Sequence, residues 1–264
     1  MAAVGAHRTL AVASGKGGVG KTTVAVGLAL ALRQRGPAVG LLDADLYGPD
    51  VPRMLGLTRT SEARHLTLWS GTDSRQRPRP VERFGLKVWS SQFLVGEGQA
   101  LAVQSSLAGL LLDRSLGTVD WGDLDWLIVD LPPGTADLQQ QLAGRLGLSG
   151  AVLVVTPQDV AHLDAKKVHS MLQRAGVRIV GGVENMAPLA CPCCGTSIEL
   201  FPSTPESRSI WGLGVPQLAQ IPFSSAIGQA AEAGQPAGAP GSASSEVFTE
   251  LAGAIVAAFE SDTQ

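Results

Sequence analysis

The chain has 264 residues, of which 45% are apolar and 5% aromatic, and its net charge is −3. This length and apolar content suffice for the core of one large domain, so we expect a single domain over residues 1–264. The acidic balance leaves no basic surface for nucleic acid, and the few aromatic residues leave little for base stacking. The longest apolar run, residues 24–32, is about half a membrane span and ends at Arg33. With no charged n-region of a signal peptide, we expect a cytoplasmic protein with no membrane or nucleic-acid partner.

Apolar runs alternate along the chain with segments of helical period. We predict strands at residues 9–14, 38–45, 85–91, 125–131, 151–157, 177–185 and 215–222, and helices at 21–35, 99–114, 136–147, 159–175, 224–234 and 245–259. Continuous apolar strands alternating with helices predict a doubly wound, mostly parallel α/β sheet with helices on both faces. Residues 58–80, rich in arginine, indicate a flexible loop, and residues 234–245 indicate a linker before the last helix.

The strongest motif is GKGGVGKTT at residues 15–23, which fits the P-loop pattern between a predicted strand and a predicted helix. Its glycines let backbone N–H groups close around phosphate oxygens. Lys21 then reaches the β and γ phosphates, and Thr22 offers a hydroxyl to Mg²⁺. We therefore expect ATP and Mg²⁺ as ligands. The nucleotide-binding residues would be Gly15, Lys16, Gly17, Gly18, Val19, Gly20, Lys21, Thr22 and Thr23.

Acidic residues follow two of the predicted strands, where ligands bind to parallel sheets. Asp43 and Asp45 follow the second strand, and Asp130 ends the fourth before the stiff turn at residues 132–134. One carboxylate of the first pair would orient the attacking water and the other would hold Mg²⁺ waters, while Asp130 has the layout of a Walker B aspartate. Taken alone, the Asp43/Asp45 pair or Asp130 could instead cap a helix or form a turn.

The extra lysine in SGKGGVGKTT, Lys16, resembles the deviant P-loop of the MinD/ParA superfamily. Within it, DADLYGPDVPRMLG, VDWGDLDWLIVDLPPGTAD, VENM before a cysteine pair, and IPFSSAIGQAAEAGQP resemble the Mrp, ApbC and Nbp iron–sulfur cluster carriers. This resemblance implies an ATP-hydrolysing homodimer that holds a [4Fe-4S] cluster and transfers it to apo iron–sulfur proteins. It also implies that Lys16 crosses to the partner's phosphates, Asp45 positions the water, Asp130 lies near Mg²⁺, and Asn185 contacts the adenine; Asp43 is then the carboxylate that holds Mg²⁺ waters.

All three cysteines lie within four positions, at Cys191, Cys193 and Cys194. A [4Fe-4S] cluster and an all-cysteine zinc site both take four thiolates, so one chain falls short and a two-fold dimer would supply two from each partner. Cys191 and Cys194 match the family's pair, which leaves Cys193 as a bystander, a substitute ligand or a transfer thiol. A bridging zinc in place of the cluster, thioredoxin-like redox chemistry and idle thiols are the alternatives.

A MinD- or ParA-like positioning switch is the alternative function from another class. Its membrane form would end in a basic amphipathic helix, yet residues 245–264 carry no lysine or arginine. Its DNA-binding form would need a basic patch, for which the arginines near residues 59–83 are the candidates.

The chain departs from the family pattern at Ala136 and at residues 103–106, 200–207 and 222–225. These departures bear on regulation, client recognition and base selectivity.

Overall fold

A computed structural model describes residues 6–57, 79–94, 119–134, 137–191, 193–239, 241–242 and 245–261. The strands in these ranges are β1 (Ala6–Ser14), β2 (Val39–Asp43), β3 (Val81–Arg83), β4 (Leu86–Ser90), β5 (Leu124–Asp130), β6 (Gly150–Val155), β7 (Ile179–Ala187), β8 (Leu189–Ala190), β9 (Ser197–Ile198) and β10 (Gln217–Pro222). The helices are α1 (Lys21–Gln34), α2 (Val51–Met54), α3 (Asp137–Arg145), α4 (Asp159–Arg174), α5 (Ser225–Glu232) and α6 (Ser245–Glu260), with short 3₁₀ turns at Ser91–Leu94, Glu206–Arg208 and Trp211–Leu213.

One large sheet forms in the order β10-β7-β6-β1-β5-β2-β4-β3 across the described ranges. All of its strand pairs are parallel except β3 with β4. Strand β2 lies on one side of β1 in this order, and β6 and β7 lie on the other side. Because β-α-β crossovers are right-handed, helices α1 and α4 cover opposite faces of the sheet. The predicted mostly parallel α/β sheet is confirmed.

The strands around β1 are buried as continuous apolar runs. Residues 124–130 of β5 read LDWLIVD and residues 150–155 of β6 read GAVLVV, and every residue of both strands except Asp125 is buried. Helix α1 is buried along most of its length, because α6 covers its outer side and Phe248 packs against Gly27. The strand order reverses on either side of β1, which opens a ligand crevice at the carboxyl ends of its neighbours.

Each of the seven predicted strands is present, and β3 with the small β8–β9 hairpin was not predicted. The turn from β3 to β4 places Phe84 at φ 51° and Gly85 at φ 74°, the left-handed pair that tight hairpins require. The predicted helix at 99–114 and most of the predicted loop at 58–80 lie outside the described residues.

The predicted linker packs closely on the domain over its described residues. Gly238 lies against the backbone of Gly27, its carbonyl accepts a hydrogen bond from Gln34, and Ala237 and Ala239 are buried. In the described part of the chain, no helix combines the length and apolar character that crossing a membrane requires. The cytoplasmic location stays a prediction.

Candidate functional site

The loop of residues 15–20 joins the end of β1 to the start of α1. Gly18 and Gly20 adopt φ angles of 80° and 83°, in the left-handed region that glycine tolerates. Left-handed residues within such a loop are typical of backbone nests that bind anions, and the amino end of α1 adds its positive dipole. Val19 is buried and anchors the loop, while Gly17 is exposed.

Two of the loop glycines are in close contact with neighbouring elements. A Cβ atom at Gly15 would lie 2.2 Å from the backbone carbonyl carbon of Asp164 in α4. A Cβ atom at Gly20 would lie 2.1 Å from Nδ2 of Asn185 in β7. The loop is therefore packed between α4 and β7, and glycine is required at both positions.

Lys21 and Thr22 both contact the carboxylate of Asp130. The Lys21 ammonium lies 2.6 Å from Asp130 Oδ1, and the Thr22 hydroxyl donates to Asp130 Oδ2 at 2.7 Å. The Lys21 ammonium also lies 4.0 Å from Oδ2 of Asp45. Lys21 and Asp130 are buried, which makes this pair a closely held part of the site.

Asp43 and Asp45 differ in position although they are two residues apart. Both oxygens of buried Asp43 accept hydrogen bonds, one from the amide of Asp45 and the other from the amide of Val51 and the hydroxyl of Ser90. Asp45 accepts the amides of Tyr47 and Gly48 and faces the cleft. Asp43 therefore organises the loop that presents Asp45, and its predicted part in holding Mg²⁺ waters stays a prediction.

Three carboxylates surround one lysine at this site. Burial raises the pKa of Asp43 well above its usual range, and the Asp130 carboxylate raises it further. Burial also raises the pKa values of Asp45 and Asp130, and Lys21 opposes the rise at both. Burial thus favours the neutral form of each carboxyl group, and the Lys21 ammonium favours the charged form.

Lys16 binds within its own chain. Its ammonium donates to Oε1 of Gln158 at 3.2 Å, and Gln158 lies at the turn from β6 to α4. Lys16 also lines the cleft beside the P-loop. The sequence did not point to Gln158, because the two residues are 142 positions apart. They meet because β6 is paired with β1 in the sheet.

The cleft has a volume of about 490 Å³. Its walls include predicted residues of the P-loop and Asp45, together with residues of α2 and α5 that were not predicted. The lining residues are Ser14, Lys16, Gly17, Gly18, Gly20, Lys21, Thr22, Thr23, Asp45, Gly48, Asp50, Arg53, Met54, Pro133, Gly228, Ala231 and Glu232. Arg53 and Glu232 form an exposed ion pair of 2.6 Å between α2 and α5 at this cleft.

Strand β7 connects the P-loop to the cysteines. Nδ2 of buried Asn185 donates to the carbonyl of Val19 at 2.8 Å, so this side chain holds the P-loop. Its predicted contact with the adenine stays a prediction. The next residue, Met186, has φ 58°, and the pairing with β10 shifts register at this point. The resulting bulge bends the chain toward the cysteine hairpin.

The cysteine pair lies in the turn between β8 and β9. The amide of Cys191 donates to the carbonyl of Thr196, and the amide of Gly195 donates to the carbonyl of Cys191, both at 2.8 Å. Hydrogen bonds with Thr196 lower the pKa of the Cys194 thiol, and the Cys191 thiol lowers it further. The structure thus brings Cys191 and Cys194 together. Cys193 is exposed, and among the described residues no group of three or more metal-ligating side chains converges on one point.

Comparisons with known proteins identify the family. A family model described as ParA, NUBPL iron-transfer P-loop NTPase, matches residues 5–256. The chain is 36% identical to the mouse protein named iron-sulfur cluster transfer protein NUBPL, over 98% of this chain and 80% of that protein. The chain belongs to this family. The predicted resemblance to the cluster carriers within the MinD/ParA superfamily is confirmed.

Other relatives and solved structures agree with that assignment. A protein of Aquifex aeolicus named iron-sulfur cluster carrier protein is 40% identical over 88% of this chain, which spans 62% of that relative's length. A solved nucleotide-binding protein from Archaeoglobus fulgidus, in complex with ADP, has a TM-score of 0.71 and 33% identity, covering 88% of each chain. The cell division ATPase MinD of Pyrococcus furiosus has a TM-score of 0.67 and 25% identity, covering 95% of this chain and 99% of that one.

Proposed function

We propose that this protein binds ATP and Mg²⁺ at the P-loop cleft and carries an iron–sulfur cluster on Cys191 and Cys194 for delivery to apo-proteins. One observation carries the proposal: strand β7 holds the P-loop through Asn185 and continues through the bulge at Met186 into the cysteine hairpin. The relatives named as cluster carriers or transfer proteins support the assignment of the cargo.

The nucleotide half of the proposal follows from the charges in the cleft. The P-loop and the amino end of α1 suit the phosphates, and Lys21 and Thr22 lie where the chain enters the helix. Thr22 and Asp130, joined at 2.7 Å, provide oxygen ligands for Mg²⁺ or for its waters. The bound ion would neutralise charge on the phosphates. In that state Lys21 would exchange its contact with Asp130 for the phosphates.

Hydrolysis would depend on Asp45 and Lys16. The amides of Tyr47 and Gly48 orient the Asp45 carboxylate, whose side chain is 14% exposed, so it can accept a hydrogen bond from the attacking water. Lys16 would leave Gln158 and reach the phosphates bound by a second copy of the chain. Two copies facing each other through their P-loops would then complete two active sites.

The cargo half of the proposal follows from the number of thiolates. A [4Fe-4S] cluster takes four, and each chain contributes the pair Cys191 and Cys194. A homodimer would therefore hold one cluster between two hairpins. The exposure of Cys194 fits a cargo site that must pass its cluster to another protein. Clients would be apo iron–sulfur proteins.

Anaerobic reconstitution with iron and sulfide tests this proposal. The wild type, Cys191→Ala/Cys194→Ala and Cys193→Ala are compared by iron, sulfide and zinc content per dimer, by visible absorption and by oligomeric state. We expect about four irons and four sulfides per dimer in the wild type, as a four-thiolate cluster requires. The double variant should lose them, and Cys193→Ala should keep them.

Two other outcomes would redirect the assignment. Zinc that resists iron challenge would make the pair a structural clasp of the dimer. Duplex DNA binding that falls steeply with ionic strength, with no cluster bound, would favour the positioning switch. Cluster transfer to an apo-acceptor at the same rate with ATP, with ADP and in Lys21→Ala would refute a link between hydrolysis and delivery.

A further inference from the structure

The turn from β6 into α4, residues 157–159, makes contact with the P-loop on one side. Lys16 donates to the side chain of Gln158, whose backbone carbonyl accepts the amide of Ala161 at 2.9 Å and so begins α4. The same helix packs against Gly15 with no room for a Cβ atom. The body of α4 is therefore packed against the P-loop at Asp164 and Ala165, and Gln158 lies at the amino end of this helix.

The segment that follows the cysteine hairpin contacts the same turn. The Thr204 hydroxyl donates to the carbonyl of Pro157 at 2.7 Å, and Arg208 forms an ion pair with Asp159. Gln158 lies between these two anchored residues. A single turn of the chain thus contacts both the lysine of the nucleotide site and the segment leaving the cargo site.

Further contacts hold this segment along the first turns of α4. Lys166 donates to the carbonyl of Ser207 at 3.2 Å, and the amide of Ile210 donates to Nδ1 of His162 at 3.2 Å. His162 is buried and also packs edge-on against Trp211. We define residues 204–210 as the clamp segment, because it is attached at four points to the turn and to α4.

We propose that Gln158 is the positioning residue for Lys16 and that the clamp segment sets how firmly Gln158 holds it. The acceptor is a neutral amide, which binds an ammonium less tightly than a carboxylate would. Lys16 can therefore be held in one chain and still be released. The role of Lys16 at the phosphates rests on the proposed function, whereas its contact with Gln158 does not.

Movement of the cysteine hairpin would reach Lys16 by this route. The clamp segment begins shortly after β9 ends, so on the carboxyl side of the hairpin a movement is passed on to Thr204 and Arg208. Loosening these two contacts frees the turn and lengthens the bond between Gln158 and Lys16. The test of this route measures the reactivity of Lys16 directly.

The experiment is competitive labelling of lysine amines in the full chain, with the rate at Lys16 read by mass spectrometry relative to Lys87. Gln158→Met keeps the side-chain length but removes the oxygen acceptor. We expect it to raise the Lys16 rate about fivefold, which is within the range for the loss of one ordinary hydrogen bond. Gln158→Glu should lower the rate, because it converts the contact into an ion pair.

The clamp is tested with Thr204→Val and Arg208→Gln, alone and combined. We expect the combined variant to raise the Lys16 rate about twofold, since it removes two contacts to the turn but leaves Gln158 in place. Lys167→Gln is the matched control, because it removes an exposed ion pair with Asp164 on the same helix. It should leave the Lys16 rate unchanged.

Three results would overturn the inference. An unchanged Lys16 rate in Gln158→Met would show that Gln158 does not position the lysine. A Lys16 rate that rises in Gln158→Met but not in the combined clamp variant would show that the clamp segment does not affect how Gln158 holds Lys16. Equal increases at every lysine, with a lower melting temperature, would indicate general loosening and also count against it. ATP-dependent dimerisation measured on the wild type judges the proposed function separately.

Discussion

The substitution Gly15→Ala tests whether the P-loop is fixed by packing against α4. A Cβ atom at residue 15 would lie 2.2 Å from the carbonyl carbon of Asp164, 2.4 Å from the amide nitrogen of Ala165 and 2.6 Å from Cβ of Asp164. The two nearest atoms belong to the helix backbone, which cannot turn aside as a flexible side chain would. The helix must move by more than about 1 Å to restore an ordinary carbon contact of about 3.5 Å.

Overpacking of this kind costs about 3 kcal/mol at the upper end of its usual range. For a domain of this size, that loss corresponds to a melting temperature lower by roughly 6 to 12 °C. Gly17→Ala is the matched control, because a Cβ atom there has no neighbour within 4 Å. It should leave the melting temperature unchanged or raise it slightly, since alanine restricts the unfolded chain.

The assay is thermal unfolding without nucleotide, followed by far-ultraviolet circular dichroism at one protein concentration. We also expect Gly15→Ala to weaken nucleotide binding, because α4 carries the turn that holds Lys16. If both alanine variants melt within about one degree of each other, the packing argument is refuted. A stable Gly15→Ala protein that binds nucleotide normally would likewise show that α4 can move away without cost to the loop.

Two further predictions concern buried titratable groups. Lys21→Met leaves the buried Asp130 carboxylate without its ammonium partner and should lower the free energy of unfolding in urea by about 3 kcal/mol. The double variant Lys21→Met/Asp130→Asn should recover most of that loss. Equal stability of the single and double variants would contradict the pairing. Burial lowers the pKa of His162 below its usual value of 6.5, so the native state binds fewer protons than the unfolded chain. Stability should therefore fall as the pH drops below about 6.5, and urea unfolding of His162→Gln between pH 7.5 and 5.5 should show a smaller fall. Some pH dependence of stability should remain in His162→Gln, because burial also lowers the pKa of His169. If stability falls as much in His162→Gln as in the wild type, His162 is not the source of the pH dependence.

Local patterns were sufficient to predict the sheet and the P-loop. Short continuous apolar runs such as LDWLIVD are typical of buried parallel strands, and a glycine-rich loop between a strand and a helix is typical of a phosphate site. The cysteine spacing likewise predicted Cys191 and Cys194 as a pair. The hydrogen bonds of Thr196 and Gly195 in the turn hold the two residues close together.

Contacts between distant segments could not be predicted in this way. The sequence around Gln158 shows only a residue that precedes a helix. Its contact with Lys16 depends on the strand order that places β6 beside β1. Asp43 and Asp45 share a motif, yet their surroundings differ. The amide of Val51 and the hydroxyl of Ser90 both donate to Asp43, so Asp43 holds the loop rather than facing the cleft. The bulge at Met186 has no local signal, because methionine is an unusual residue for a left-handed backbone.

The cargo half of the proposed function makes two opposite demands that a dimer would reconcile. A carrier must hold its cluster during transport and lose it on contact with a client, and a pair of thiolates from one chain falls short of the four that a cluster needs. Cluster affinity would therefore depend on how closely two hairpins approach. In the proposed hydrolysis Lys16 would act across the same interface, so the geometry that completes the ATP site would also set the distance between the hairpins. If nucleotide favours the dimer, it must strengthen cluster binding as well, and by linkage a bound cluster must strengthen nucleotide binding by the same factor.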